Sequence, residues 1–166
     1  MRWMILIAIL GCSSSNKHDD GAGPVPARTG SASPPSSPAT STMPKVHLST
    51  PQGDVAVEVE IVSTPAQIQR GLMFREHLPP DQGMLFLMPE EKIWPFWMRN
   101  TLIPLDLIFI AGNMTIAGIV ENAAPRTDTL RDVGVPSLYV LEVNGGFCAA
   151  HKVAAGAAVQ FERVAR

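Results

Sequence analysis

The sequence predicts a mostly β (α+β) domain: a compact antiparallel sheet curled into a small barrel or sandwich with one or two short helices. Three observations predict it. From Lys45 onward apolar residues alternate with polar ones over short stretches, as in 54–61, where Val55, Val57, Val59 and Ile61 interleave with Asp54, Ala56, Glu58 and Glu60, the period of a half-buried strand. Turn residues separate these stretches at short intervals. The chain has 166 residues, 46% hydrophobic and 17% charged, enough for one core and too few for two.

The elements follow in order. Residues 45–48 and 54–61 read as a hairpin about the turn Thr50-Pro51-Gln52-Gly53. Thr64 followed by Pro65, with Gln67 three residues after the threonine, reads as a helix start, because proline fits the first turn and the glutamine can reach back to the cap. Gly71 is the expected stop, and Ala66 and Ile68 are the residues available to pack. Further strands are expected at 84–88, 93–98, 105–110, 114–121, 138–143 and 158–164. Ala111-Gly112-Asn113 supplies a tight turn between two of them. Residues 105–110 are apolar except for Asp106, so this strand should be central and buried on both sides.

The N-terminus reads differently. Arg2, an apolar stretch from Trp3 to Leu10 and Ile9-Leu10-Gly11-Cys12 have the layout of a secretory signal ending in a lipoprotein cleavage box. Residues 1–11 are then the signal peptide, too short to span a bilayer, and Cys12 is the lipidation site. Several acyl chains on one residue anchor firmly, since each buried methylene contributes about 0.8 kcal/mol. The expected location is extracytoplasmic, lipid-anchored to a bacterial membrane, with Ser13 after Cys12 favouring the outer one. Of the thirty-two residues 13–44, twenty-four are Ser, Pro, Gly, Ala or Thr and none is aromatic. Such a segment buries too little apolar surface to offset its own ordering. Residues 12–44 thus read as a lipidated, disordered tether, about 30 Å end to end as a flexible coil, and residues 45–166 as the single domain.

Composition excludes some classes. From Lys45 to Arg166 ten basic residues face thirteen acidic ones, and no basic patch recommends nucleic acid. The chain has two cysteines. With Cys12 given to lipid, Cys148 is unpaired and no internal disulfide is expected. Cys148 and His151 can share a helix face, which suggests a nucleophile and base, but a small buried residue beside a surface histidine is the plainer reading. Met73, Met84, Met88, Met98 and His77 are soft or borderline ligands that suit copper(I); core packing is the plainer role for the methionines, and no His or Cys spacing makes a zinc site. No metal and no cofactor is expected.

The densest run of unusual residues is Trp94 to Asp106, WPFWMRNTLIPLD. Together with Gly71-Leu72-Met73-Phe74-Arg75, Gly83-Met84-Leu85-Phe86, Ile108-Phe109-Ile110 and Val140-Leu141-Glu142, it resembles the signature blocks of the domain of unknown function 192 family, over about residues 46–160. The resemblance implies a small β-rich domain, often secreted or lipid-anchored in bacteria, without an established activity. Arg99 stands where that family usually has lysine, replacing a point donor with a planar fork. Gly156-Ala157-Ala158-Val159 lacks the aspartate that usually follows the glycine.

The shared residues form a candidate polar site: Arg75, Trp97, Arg99, Asn100, Thr101, Asp106, Glu121 and Glu142. Asp106 interrupts an apolar strand, and a buried carboxylate needs a partner; Arg75 and Arg99 are the expected counter-ions. Glu142 poses the same question in Tyr139-Val140-Leu141-Glu142-Val143. The alternative is structural, with Asp106 and Arg75 a buried ion pair that locks the fold, and Asn100 and Thr101 a turn cap.

Three classes of function remain open. A binding or accessory module would present a pocket to a small molecule, a glycan or an envelope protein, and a site built on Asp106, Arg75, Asn100 and Glu142 fails if these four are scattered through the core without a shared cavity. A hydrolase-type enzyme would use Asp106, Glu121 or Glu142 as acid and base, and expects them about 5 to 10 Å apart across an open cleft. A purely structural envelope protein would lack a pocket. The binding module is preferred, since no nucleophile or metal motif is recognisable; oligomeric state is unread.

Overall fold

The computed structural model describes residues 42–165. The signal segment 1–11, Cys12 and the tether up to residue 41 lie outside the described residues. Seven strands and two short helices follow one another as β1 (Lys45–Thr50), β2 (Gly53–Val62), α1 (Pro65–Arg70), β3 (Gln82–Lys92), β4 (Leu105–Ile110), β5 (Ile116–Ala123), β6 (Ser137–Asn144), α2 (Phe147–His151) and β7 (Val159–Glu162). The strands make a single sheet in the order β5-β4-β6-β3-β2-β1-β7, curled into a half-barrel. Its pairings are antiparallel except β2 with β3. That parallel pair needs a crossover, and α1 lies within it. At one corner the two edge strands meet, through a bridge between Thr115 and Ala158 just before β5 and β7.

Alternation along the strands builds two apolar layers. Leu85 and Leu87 of β3, Ile108 and Ile110 of β4, and Leu141 and Val143 of β6 point to one face, where they join Val46, Leu48, Val57, Val59 and Val159. Phe147 and Cys148 of α2 close that layer. The intervening residues Met84, Phe86 and Met88, Leu105, Leu107 and Phe109, and Val140 point to the other face. Leu72, Leu78, Met98 and the half-buried Ile68, Trp94 and Phe96 cover it. β4 is therefore buried along its whole length, as its apolar run predicts. It is second from the sheet edge rather than central; full burial comes from cover on both faces.

α1 has the predicted capping box: Thr64 accepts from the Gln67 amide, and the Gln67 side chain accepts from the Thr64 amide. Gly71 ends it. Ile68 packs, whereas Ala66 is exposed. The expected strand at 93–98 does not form. Pro95 lacks a ladder donor, and the segment crosses the second layer with one bridge, Phe96 to Arg131. Side chains fix it instead: the Phe96 ring stands edge-on to Phe86 and Phe109, at centroid distances of 5.3 and 5.8 Å.

Candidate ligand pocket

The crossover after β2 and the 93–101 segment do not seal the second layer. Between them lies a cavity of about 450 Å³, walled by Ile68, Leu72, Met73, Phe86, Met88, Trp94, Phe96 and Trp97. Thr101 and Glu142 are the buried polar residues that line it, and Gln69, Arg70 and Lys92 line it too. Its volume is that of small-molecule sites, which lie at roughly 300 to 1,000 Å³.

Glu142 is the unusual residue here. β6 delivers it to the same face as Met84, its partner across the β3 pairing, and Leu107, its partner across the β4 pairing. Its side chain is buried, and among the described residues neither carboxyl oxygen finds a hydrogen bond or a cation. Burial alone pushes its pKa up to about 8, because the charged form is poorly solvated there. At neutral pH the group is mostly a carboxylic acid, able to donate and to accept. The Thr101 hydroxyl also lacks a partner among the described residues, although the Thr101 backbone is tied to Met98 and Arg126.

Gly71 keeps the approach to the acid open. Its backbone sits at φ 46°, ψ −135°, and a Cβ there would lie 3.2 Å from the Phe86 ring and 3.7 Å from Glu142 Oε2. Nearby, the Lys92 ammonium stands 4.1 Å over the Trp94 ring while pairing with Glu90, and the Trp94 indole donates to the Glu90 carbonyl. Arg70, in the last turn of α1, makes no ion pair with any described residue.

The other expected site residues disperse. Asp106 has neither Arg75 nor Arg99 as counter-ion. It projects to the face opposite Glu142 and accepts three backbone amides, from Asn122 at 2.8 Å, Gly146 at 3.0 Å and Cys148 at 2.8 Å. Local amides thus do the work expected of an arginine, and the carboxylate caps α2 from a neighbouring strand. Arg75 makes a two-pronged contact with Glu60, at 2.5 and 2.6 Å, and its hydrogen bonds hold the Glu60 carboxyl below the usual range. That pair borders a depression of about 320 Å³ with Phe74 and Met84. Arg99 donates to Asp128 at 2.7 Å and lies 4.3 Å over the Trp97 ring. It lines a third depression of about 300 Å³ with Asn100 and Trp97. Asn100 adopts a left-handed φ of 57°, which asparagine tolerates, and its carbonyl accepts from the Phe74 amide. Glu121 is exposed on the edge strand β5.

Asp106, Arg75, Asn100 and Glu142 therefore do not share one cavity, so the binding site expected of these four residues does not form, and no two of Asp106, Glu121 and Glu142 line the cavity together. Trp97, Thr101 and Glu142 do meet in it. Arg70, Gly71 and Lys92 belong to the same walls and are not among the expected site residues, and Met73, weighed in the sequence only as a soft metal ligand, lines them too. A basic residue in the last turn of α1, directly before a stop glycine, is the signal for Arg70.

The family profile of the domain of unknown function 192, described as an uncharacterised ACR, matches residues 47–161. The chain belongs to this family. A solved protein of Sinorhizobium meliloti 1021, described as a candidate transcription regulator, is 38% identical, with a TM-score of 0.68 over 74% of this chain and 97% of that one. A protein of unknown function from Novosphingobium aromaticivorans DSM 12444 is 35% identical, with a TM-score of 0.69 over 78% of this chain and 94% of that one. The chain matches no curated protein. This member of the domain of unknown function 192 family places its Trp97, Thr101 and Glu142 on one cavity.

Proposed function

We propose that this domain is a small-molecule-binding module of the bacterial cell envelope, held at a membrane by lipid on Cys12 and by residues 13–44. One observation carries the reading: a buried carboxyl without a partner among the described residues faces an aromatic cavity of about 450 Å³. An unpaired buried polar group is costly, and a ligand that hydrogen-bonds to it recovers that cost. The regulator description of the Sinorhizobium relative is not carried over, since ten basic residues against thirteen acidic ones from Lys45 to Arg166 give no electrostatic footprint for nucleic acid.

The test uses the full-length chain purified from its membrane and examined by native mass spectrometry. A small molecule should be retained by the wild type and lost from Ile68→Trp, which fills the half-buried wall of the cavity. Retention in both, or in neither, overturns the reading. Anchoring is tested separately: radiolabelled palmitate should enter the wild type and not Cys12→Ala, and equal labelling of the two overturns the lipid assignment.

A further inference from the structure

Resting on that reading, the geometry points to a ligand class: we infer that the cavity takes an organic anion with an apolar body. A neutral hydrogen-bonding oxygen at its inner end meets Glu142 and Thr101, and its anionic end meets Arg70. Three features of the walls set these requirements. The body must be apolar, because Ile68, Leu72, Met73, Phe86, Met88, Phe96 and the two tryptophans surround it and reward removal of apolar surface from water. The inner end must hydrogen-bond, because Glu142 and Thr101 have side-chain polar atoms without partners among the described residues.

The charge of the outer end is decided by the wall cations. Arg70 and Lys92 are the charged side chains on the cavity wall besides Glu142. Lys92 is engaged by Glu90 and Trp94. Arg70 has no such engagement among the described residues and offers a planar fork suited to a carboxylate. An aromatic cage with a buried acid otherwise suits an ammonium ligand. Here that ligand would meet two cations on the wall, and Lys92 and Arg99 already lie over the Trp94 and Trp97 rings.

The acid at the inner end acts as a donor while it holds its proton. A ligand oxygen that accepts from it favours the protonated form, so affinity falls as Glu142 ionises with rising pH. An ammonium ligand demands the carboxylate, so its affinity would rise instead. The two classes therefore differ in the sign of a measured slope.

The experiment titrates the full chain with three probes of similar body, 3-(4-hydroxyphenyl)propanoate, 3-phenylpropanoate and tyramine, by calorimetry and by the fluorescence of the cavity tryptophans. The hydroxyphenyl acid should bind about tenfold tighter than either of the others. Arg70→Gln should remove about fivefold of its affinity and leave that of tyramine no weaker. Between about pH 7 and pH 9 its affinity should decline, and Glu142→Gln should abolish that decline. Tighter binding of tyramine, or affinity for the acid that rises with pH, overturns the anionic class; so does failure of the hydroxyphenyl acid to bind at millimolar concentration. The native mass measurement with Ile68→Trp separates this failure from that of the pocket itself: a retained ligand without anionic preference leaves the binding module standing, and no retained ligand removes both.

Discussion

Asp106 and Glu142 project to opposite faces of one sheet, although they lie on neighbouring strands a single position out of register, Asp106 opposite Val143 and Leu107 opposite Glu142. Both are buried acids, and the pleat alone assigns them different lives. Asp106 meets amides at the end of the half-barrel and is satisfied. Glu142 meets a cavity and is not.

The first prediction concerns Asp106. Asp106→Asn replaces one acceptor with an amide that faces backbone N–H groups, so a network of three donors is broken in a buried site. The loss in unfolding free energy should be on the order of 2 to 4 kcal/mol, read from the urea midpoint with an unchanged slope. Arg75→Gln should cost less than about 1 kcal/mol, because its pair with Glu60 is exposed. Equal costs would restore the buried ion pair that the sequence suggested.

Glu142 makes stability depend on pH in the direction opposite to an ordinary paired carboxylate. Its folded pKa is raised from 4.5 to about 8, so the native state holds a proton that the unfolded chain gives up. The stability contribution is fully present below pH 4.5 and is lost as pH rises to about 8. Relative to Glu142→Gln, the wild type should lose up to about 1.4 kcal/mol per pH unit across that window and no more above it. Paired urea curves at several pH values check this, and parallel pH profiles for the two proteins would show that the acid is ionised in the fold.

Much of the fold was legible because short-range chemistry decided it. The alternation in 54–61, the Thr64-Pro65-Gln67 cap, the Gly71 stop and the apolar run at 105–110 each became the expected element. The 93–98 segment misled because Trp94, Phe96 and Met98 carry the period of a strand, and only Pro95 and the Phe86 and Phe109 rings reveal an irregular crossing. For the polar residues, the pattern marks Asp106 and Glu142 as costly without naming their partners. Amides from residues 122, 146 and 148 come together only in three dimensions, and Arg75 turns to Glu60 fifteen residues upstream. The run Trp94 to Asp106 marked one wall of the cavity, but its closure against α1 has no linear signature.

Cys148 should be inert in the native protein. It is buried in α2; burial pushes its thiol pKa up, and the nearby Asp106 charge pushes it further. The thiolate is the reactive form, so iodoacetamide should leave Cys148 unmodified in the folded chain at mildly alkaline pH and label it fully in urea. Rapid labelling of the native protein would revive a nucleophilic role with His151. In Asp106→Asn, labelling should speed up about tenfold for each 1.4 kcal/mol of lost stability, since opening of the fold then limits access.

Gly71 links the fold to the cavity, and alanine there tests both. Its φ of 46° is a region that L side chains rarely adopt, which costs about 1 to 2 kcal/mol on substitution. The new methyl would also press on Phe86 at 3.2 Å and lie 3.7 Å from Glu142 Oε2. Gly53 provides the control: its φ is 112°, and a Cβ there meets nothing within 4 Å. Gly53→Ala should therefore lower the urea midpoint through backbone strain and leave binding of 3-(4-hydroxyphenyl)propanoate as it was. Gly71→Ala should lower the midpoint further and weaken that binding about tenfold, because its methyl shields the acid that the ligand must reach. Equal affinities in the two variants would place the ligand elsewhere than over Glu142.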